Sequence, residues 1–161
     1  MQANACDIYH VTVSPDGIYS FMTDGGVLYS ARFFIASQFA GKVYSHCIYE
    51  FTFDADSHAR HDCRVIATIA DILRNFFAYT DNIFFYLCDS SDGRHYARKR
   101  LFDNWFITYS LGRYIQYDAN IIKLEYNIEY LMNTISHCRC PFNDSLRSDI
   151  PEFAQVFSSC K

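Results

Sequence analysis

The spacing of apolar residues changes several times along this chain, and each change marks an element. Ile8–Val13 alternates weakly and predicts a short strand. Ser14-Pro15-Asp16-Gly17 reads as a turn, Ile18–Thr23 as a second strand, and Asp24-Gly25-Gly26 as a hairpin turn. Val27–Phe34 predicts a third strand, and Gly41-Lys42 marks another turn. From Val43 to Phe53 the period is two: Val43, Ser45, Cys47, Tyr49, Phe51 and Phe53 fall on one side, and Tyr44, His46, Ile48, Glu50 and Thr52 on the other. Asp54–His61 is polar and predicts a loop. Asp62 then reads as the cap of a helix whose wide apolar face is Val65, Ile66, Ile69, Ile72, Leu73, Phe76 and Phe77.

The next stretch, 82–106, organises the rest. Ile83–Cys88 is apolar without alternation, as expected of a strand covered on both faces. Asp89-Ser90-Ser91-Asp92-Gly93 supplies turn chemistry, with Ser91 or Asp92 as N-cap of a helix over 92–108. Ala97, Leu101 and Trp105 recur at i+4, with Phe102 and Phe106 beside them, which predicts a buried stripe. Arg94, Arg98, Lys99 and Arg100 then take the flanks and the outer face. Gly112 ends the pattern. Tyr114–Asn120 and Leu124–Thr134 follow as a closing strand pair, the second also compatible with a helix. Pro141 ends that region, and Ile150–Phe157 predicts a terminal helix.

The order β-β-β-β-α-β-α-β-β-α predicts an α+β fold with a mostly antiparallel mixed sheet. The predicted core includes Ile69, Leu73, Phe76, Phe85, Leu101 and Trp105. No linker or repeat divides the 161 residues, so one domain over 1–161 is expected.

Composition sharpens this picture. Half of the residues are hydrophobic, and thirteen Tyr and fifteen Phe stand against three Pro and six Gly. Such a chain folds, and its aromatic excess allows a sticky face for a protein partner or a second copy. The net charge of −4 disfavours nucleic acid as a partner, although the 94–100 segment is locally basic. No apolar run approaches the ~18 residues of a membrane span, and the N-terminus has no signal-peptide pattern. A cytoplasmic protein with seven free thiols is therefore expected. His58, His61 and Cys63, and likewise His137, Cys138 and Cys140, lack the spacing of a zinc module, so no metal is expected.

One anion site is a candidate. A strand that delivers the chain into a helix N-terminus aims free amides and a positive dipole end at one point. Asp89, Ser91, Asp92, Gly93, Arg94, His95 and Arg98 would build that corner, with Arg94 as the anion's cation. The commoner use of Asp and Ser here is capping, with the arginines paired to Asp89 and Asp92. Cys88, at the strand exit, is expected to be a buried thiol.

Two resemblances follow. The run CDSSDGRHYARKRLFDNWF at 88–106, with Asp62, Arg64, Thr68, Ile69, Ile72 and Leu73, resembles the signature of a small bacterial family classed as a domain of unknown function. That resemblance implies no activity. The element order is also similar to the Gcn5-related N-acetyltransferases. This implies acyl-coenzyme A binding where the fourth strand meets the next helix, on a glycine-rich pyrophosphate loop. Here that stretch, Asp54–Arg64, has no glycine and carries Asp54, Asp56 and Asp62. The leading expectation is a non-catalytic interaction or regulatory module without a cofactor. The alternatives are an acyltransferase-like enzyme using acetyl-coenzyme A, and a small nucleic-acid-acting toxin or defence protein.

Overall fold

The computed structural model describes residues 7–57, 61–123 and 128–153, with backbone alone for 120–123. Among these residues the elements are β1 Thr12–Val13, β2 Tyr19–Met22, β3 Leu28–Ile35, β4 Ile48–Ala55, α1 Cys63–Phe76, β5 Ile83–Asp89, α2 His95–Tyr109, β6 Tyr114–Lys123, β7 Ile128–His137 and α3 Asn143–Asp149. The strand order is β1-β2-β3-β4-β5-β7-β6. β4 and β5 run parallel, whereas β1–β2, β2–β3, β5–β7 and β6–β7 are antiparallel. This is the expected α+β fold with a mostly antiparallel mixed sheet. The chain divides into two compact units, Met1–Phe33 with Phe51–Ala78, and Phe34–Glu50 with Tyr79–Lys161.

In the first unit the turn chemistry acts as expected. Gly17 sits at φ 75° and donates to the Ser14 carbonyl at 2.9 Å, a left-handed backbone that glycine adopts without a Cβ clash. Rings from successive strands stack in a row, Tyr9–Phe21–Tyr29–Phe53, with centroids 5.9, 5.2 and 5.2 Å apart. α1 buries Val65, Ile69, Ile72 and Phe76. Asp62 caps it by accepting the Arg64 amide at 2.8 Å, and its other oxygen accepts the Tyr9 hydroxyl at 2.7 Å. That hydroxyl, with the first-turn amides, holds the Asp62 carboxyl below its ordinary range. Two expectations fail in this unit. The strand foreseen from Ile8 begins at Thr12, because the Tyr9 amide donates to Thr68 Oγ1 on α1 at 2.9 Å. The polar start of the foreseen loop, Asp54-Ala55, belongs to β4, and Asp56 just beyond exchanges backbone and side-chain bonds with Leu28.

In the second unit β5 has β4 on one edge and β7 on the other. Ile83, Phe84, Phe85 and Tyr86 are all buried, as the unbroken apolar run predicts. On one face Ile83 and Phe85 join Phe39, Tyr44, Ile48, Met132, Leu146 and Phe153 in a core. On the other, Tyr86 stacks on Phe102 of α2 at 4.2 Å, and Phe102 meets Trp105 at 5.0 Å. The 128–134 part of the foreseen last strand is strand, within β7; its start at 124–127 lies outside the described residues. Of the foreseen terminal helix, Ile150–Glu152 forms a 3-10 turn, and the rest from 154 lies outside them.

The strand expected from Val43 begins only at Ile48. Ser45 and Cys47 donate backbone bonds to Lys42 and Tyr44, closing consecutive turns. Tyr44 is buried with its hydroxyl on Asp149 at 2.8 Å, so a contact remote in sequence overrides the local period of two. The expected stripe of α2 holds at Trp105 and Phe102 and fails at Ala97 and Leu101. Ala97 and Leu101 are exposed, and the inward side chains are His95, Arg98, Lys99, Phe102 and Trp105. Tyr86 takes the aromatic pair Phe102 and Trp105, Lys99 reaches Asp118 of β6, and Arg98 turns back to Asp92 and the Asp89 carbonyl, so these cations take inward positions along their apolar stems. Trp105→Ala should therefore cost about 3–5 kcal/mol, whereas Leu101→Ala should stay within about 0.5 kcal/mol. Equilibrium denaturant unfolding of both variants checks the assigned face.

Candidate functional site

β5 ends at Asp89, and the next four residues fold back on themselves. Asp89 Oδ1 accepts the Ser91 amide at 3.0 Å and also a very short bond from the Ser91 hydroxyl. Ser90 ties the turn to β7: its amide donates to the Glu129 carbonyl and its Oγ accepts the Glu129 amide, both at 2.9 Å. Gly93 adopts φ 69°, which no helix can run through. α2 therefore starts at His95, with Arg94 in the N-cap position and no side-chain cap. The cap expected at Ser91 or Asp92 is absent for that reason. Asp92 instead accepts the Arg94 amide at 2.9 Å and Arg98 Nη1 at 2.6 Å. Arg98 Nη2 donates to the Asp89 carbonyl at 2.7 Å.

The electrostatics follow from these bonds. The Ser91 hydroxyl and amide hold the Asp89 carboxyl below its ordinary range. The Arg98 guanidinium and the Arg94 amide do the same for Asp92. Asp89, Ser91, Asp92, Gly93 and Arg98 thus meet in one corner, but their charges and lone pairs are engaged with each other. The side chains of the other two candidates are engaged elsewhere or not at all among the described residues. His95 is only 8% exposed, with Nε2 at 3.2 Å from Glu129 Oε2, and Tyr96 donates its hydroxyl to the same carboxylate at 3.1 Å. Arg94 is exposed, and among the described residues no carboxylate pairs with it.

Two features of α2 escaped sequence reasoning. The first is a polar seam under the helix. Lys99 reaches Asp103 at 2.8 Å and Asp118 at 3.4 Å, and Gln116 Nε2 donates to Asp103 at 2.7 Å and Asn133 at 2.8 Å. The i,i+4 spacing of Lys99 and Asp103 was its one readable signal. The second is the outward face, where Leu101 is 42%, Ile107 74% and, just past the helix, Leu111 75% exposed. Only the failure of the expected stripe reveals it.

Burial raises the Cys88 thiol despite the nearby Arg98, and burial pushes Cys47 up to about 11. Among the described residues no group of three or more His, Cys, Asp or Glu side chains is arranged to hold a metal. The N-terminus of α1, where the acetyltransferase resemblance implies a pyrophosphate, is closed by the Asp62 carboxylate. An anion brought to that helix end would meet the Asp62 carboxylate.

The expectation of seven free thiols fails at Cys63. Cys63, exposed at the start of α1, is disulfide-bonded, while Cys47, Cys88, Cys138 and Cys140 are free. Brief alkylation of the native, unreduced protein should modify exposed Cys138 first and leave Cys47, Cys88 and Cys140 slow, because buried thiols with raised pKa supply little thiolate. Cys63 should be modified only after reduction; rapid modification without reductant would contradict the bond. Mass spectrometry of the adducts reads both outcomes.

No curated protein and no solved structure matches this chain. A model of a family of unknown function matches residues 61–150, which is more than half of the sequence and runs from the Asp62 cap through α2 to α3. The expected kinship with a domain of unknown function is thereby met, and the chain belongs to the family of unknown function DUF6169.

Proposed function

We propose that the protein is a non-catalytic interaction module that docks a protein partner on the outer face of α2. The observation that carries this reading is the inversion of that helix. Its inner face holds His95, Arg98 and Lys99 beside Phe102 and Trp105, whereas the aliphatic Leu101 and Ile107, with Leu111 just beyond, project outward. A helix packed on a sheet ordinarily turns its aliphatic residues inward. Exposed aliphatics grouped on one element mark an interaction face. The self-contained Asp89–Arg98 corner and the raised thiols support the same reading, since neither offers an activated group.

A photo-crosslinking amino acid at position 107, in the cells that make the protein, should give a discrete adduct with a partner. The same group at Tyr79, which is 74% exposed, should not. Equal labelling at both positions, or none at 107, would overturn the reading.

An acyltransferase-like enzyme is the second reading. The parallel β4–β5 pair, connected through α1, favours it. Acetyl-coenzyme A separates the two: it raises the melting temperature of a transferase by binding the native state, and leaves that of an interaction module unchanged.

A further inference from the structure

The cations of α2 divide into two sets, and the division identifies what the outer face accepts. Arg98 pairs with Asp92, and Lys99 with Asp103 and Asp118. Both sit on the inward side. Arg94 and Arg100 are exposed, and among the described residues neither has a carboxylate within ion-pairing distance. Arg94 also stands at the N-cap of α2, where the helix dipole disfavours a cation. The chain as a whole is acidic, with a net charge of −4, so carboxylates are not scarce; among the described residues none is exposed along α2 itself. Around α2, Leu101 lies seven residues, about two turns, from Arg94, and Ile107 the same from Arg100, so the outer side carries two cation–aliphatic rows about 120° apart, with Leu111 following.

From this geometry we infer that the occupant of the α2 outer face is an acidic amphipathic segment of another protein. Its apolar side chains cover Leu101, Ile107 and Leu111, and its Asp or Glu carboxylates pair with Arg94 and Arg100. The inference rests on the interaction reading and adds the chemistry of the partner. Charge complementarity decides among the possible occupants. A second copy of this chain, docked face to face about a two-fold axis, sets arginine against arginine with no carboxylate supplied by either face. A nucleic acid offers phosphates to the two arginines and leaves the aliphatic residues uncovered. An extended polyanion or an anionic bilayer also meets the repulsion of the whole acidic chain, whereas a short acidic segment meets only this face.

The test is a selection from a random-peptide library displayed on phage, against the immobilised full chain. Two double variants accompany the wild type, Arg94→Glu with Arg100→Glu, and Leu101→Ser with Ile107→Ser. All four positions are exposed, so both variants should keep the wild-type melting temperature. Enriched peptides should carry more Asp and Glu than the starting library, with apolar residues at helical spacing. Their affinity should fall by about tenfold on the double charge reversal, as expected for losing two rim ion pairs, and should vanish on the double serine variant. Peptides without an acidic excess, or an affinity unchanged by charge reversal, would overturn the acidic partner while leaving the docking face intact. Affinity unchanged by the serine pair would overturn the docking face itself. Tighter binding of a single-stranded oligonucleotide or of phosphatidylserine vesicles than of any selected peptide would also overturn the inference.

Discussion

β5 is confined on every side, and the second unit depends on that confinement. Its edges pair with β4 and β7, and four consecutive residues, Ile83–Tyr86, are buried. Phe85 faces Phe39 at 5.6 Å on one side, while Tyr86 faces Phe102 at 4.2 Å on the other. A strand so enclosed has no tolerance for a slip of register, because one residue of shift exchanges its two faces. Its end at Asp89 is therefore fixed. The turn from Asp89 to Gly93, the start of α2 and the Arg98 bonds to Asp89 and Asp92 all follow from that fixed end.

The same confinement explains the inversion of α2. Beside Tyr86 the sheet presents polar side chains, Gln116 and Asn133, whose hydrogen bonds link Asp103 of the helix to β6 and β7. Lys99 lies at this seam, between Asp103 and Asp118. Buried polar groups need partners, so the helix turns its cations and its aromatic pair inward and leaves its aliphatic residues outside. The outward exposure of the aliphatic residues is thus the consequence of a polar seam on the inner side.

Much of the fold was legible because local chemistry coincides with the final structure. The unbroken run Ile83–Cys88 became the enclosed strand, Asp62 became the cap of α1, and the glycine turns formed with left-handed backbone. The failures share one physical source, contacts between residues remote in sequence. Tyr44 is drawn to Asp149, 105 residues away, which breaks the alternating strand at Val43. His95 is drawn to Glu129, 34 residues away, which removes it from the candidate corner. The corner itself was legible as an acidic turn leading into a basic helix. That its aspartates pair with arginines was legible too, but not that Arg98 rather than Arg94 does so, because only three dimensions show which arginine meets which aspartate. The face of α2 was read correctly at Phe102 and Trp105 and misread at Ala97 and Leu101, because periodicity ignores the stems by which Arg98 and Lys99 pack.

The measurement that tests this account most directly is solvent paramagnetic relaxation of the methyl groups in the isolated protein. A soluble paramagnetic agent relaxes methyls in proportion to their access to water. The account predicts strong relaxation at Leu101, Ile107 and Leu111, and weak relaxation at Ile69, Ile72 and Ile83, which are buried. Protection of Leu101 and Ile107 to the level of Ile83 would place the aliphatic residues of α2 inside and contradict the inverted helix on which the proposed docking face depends.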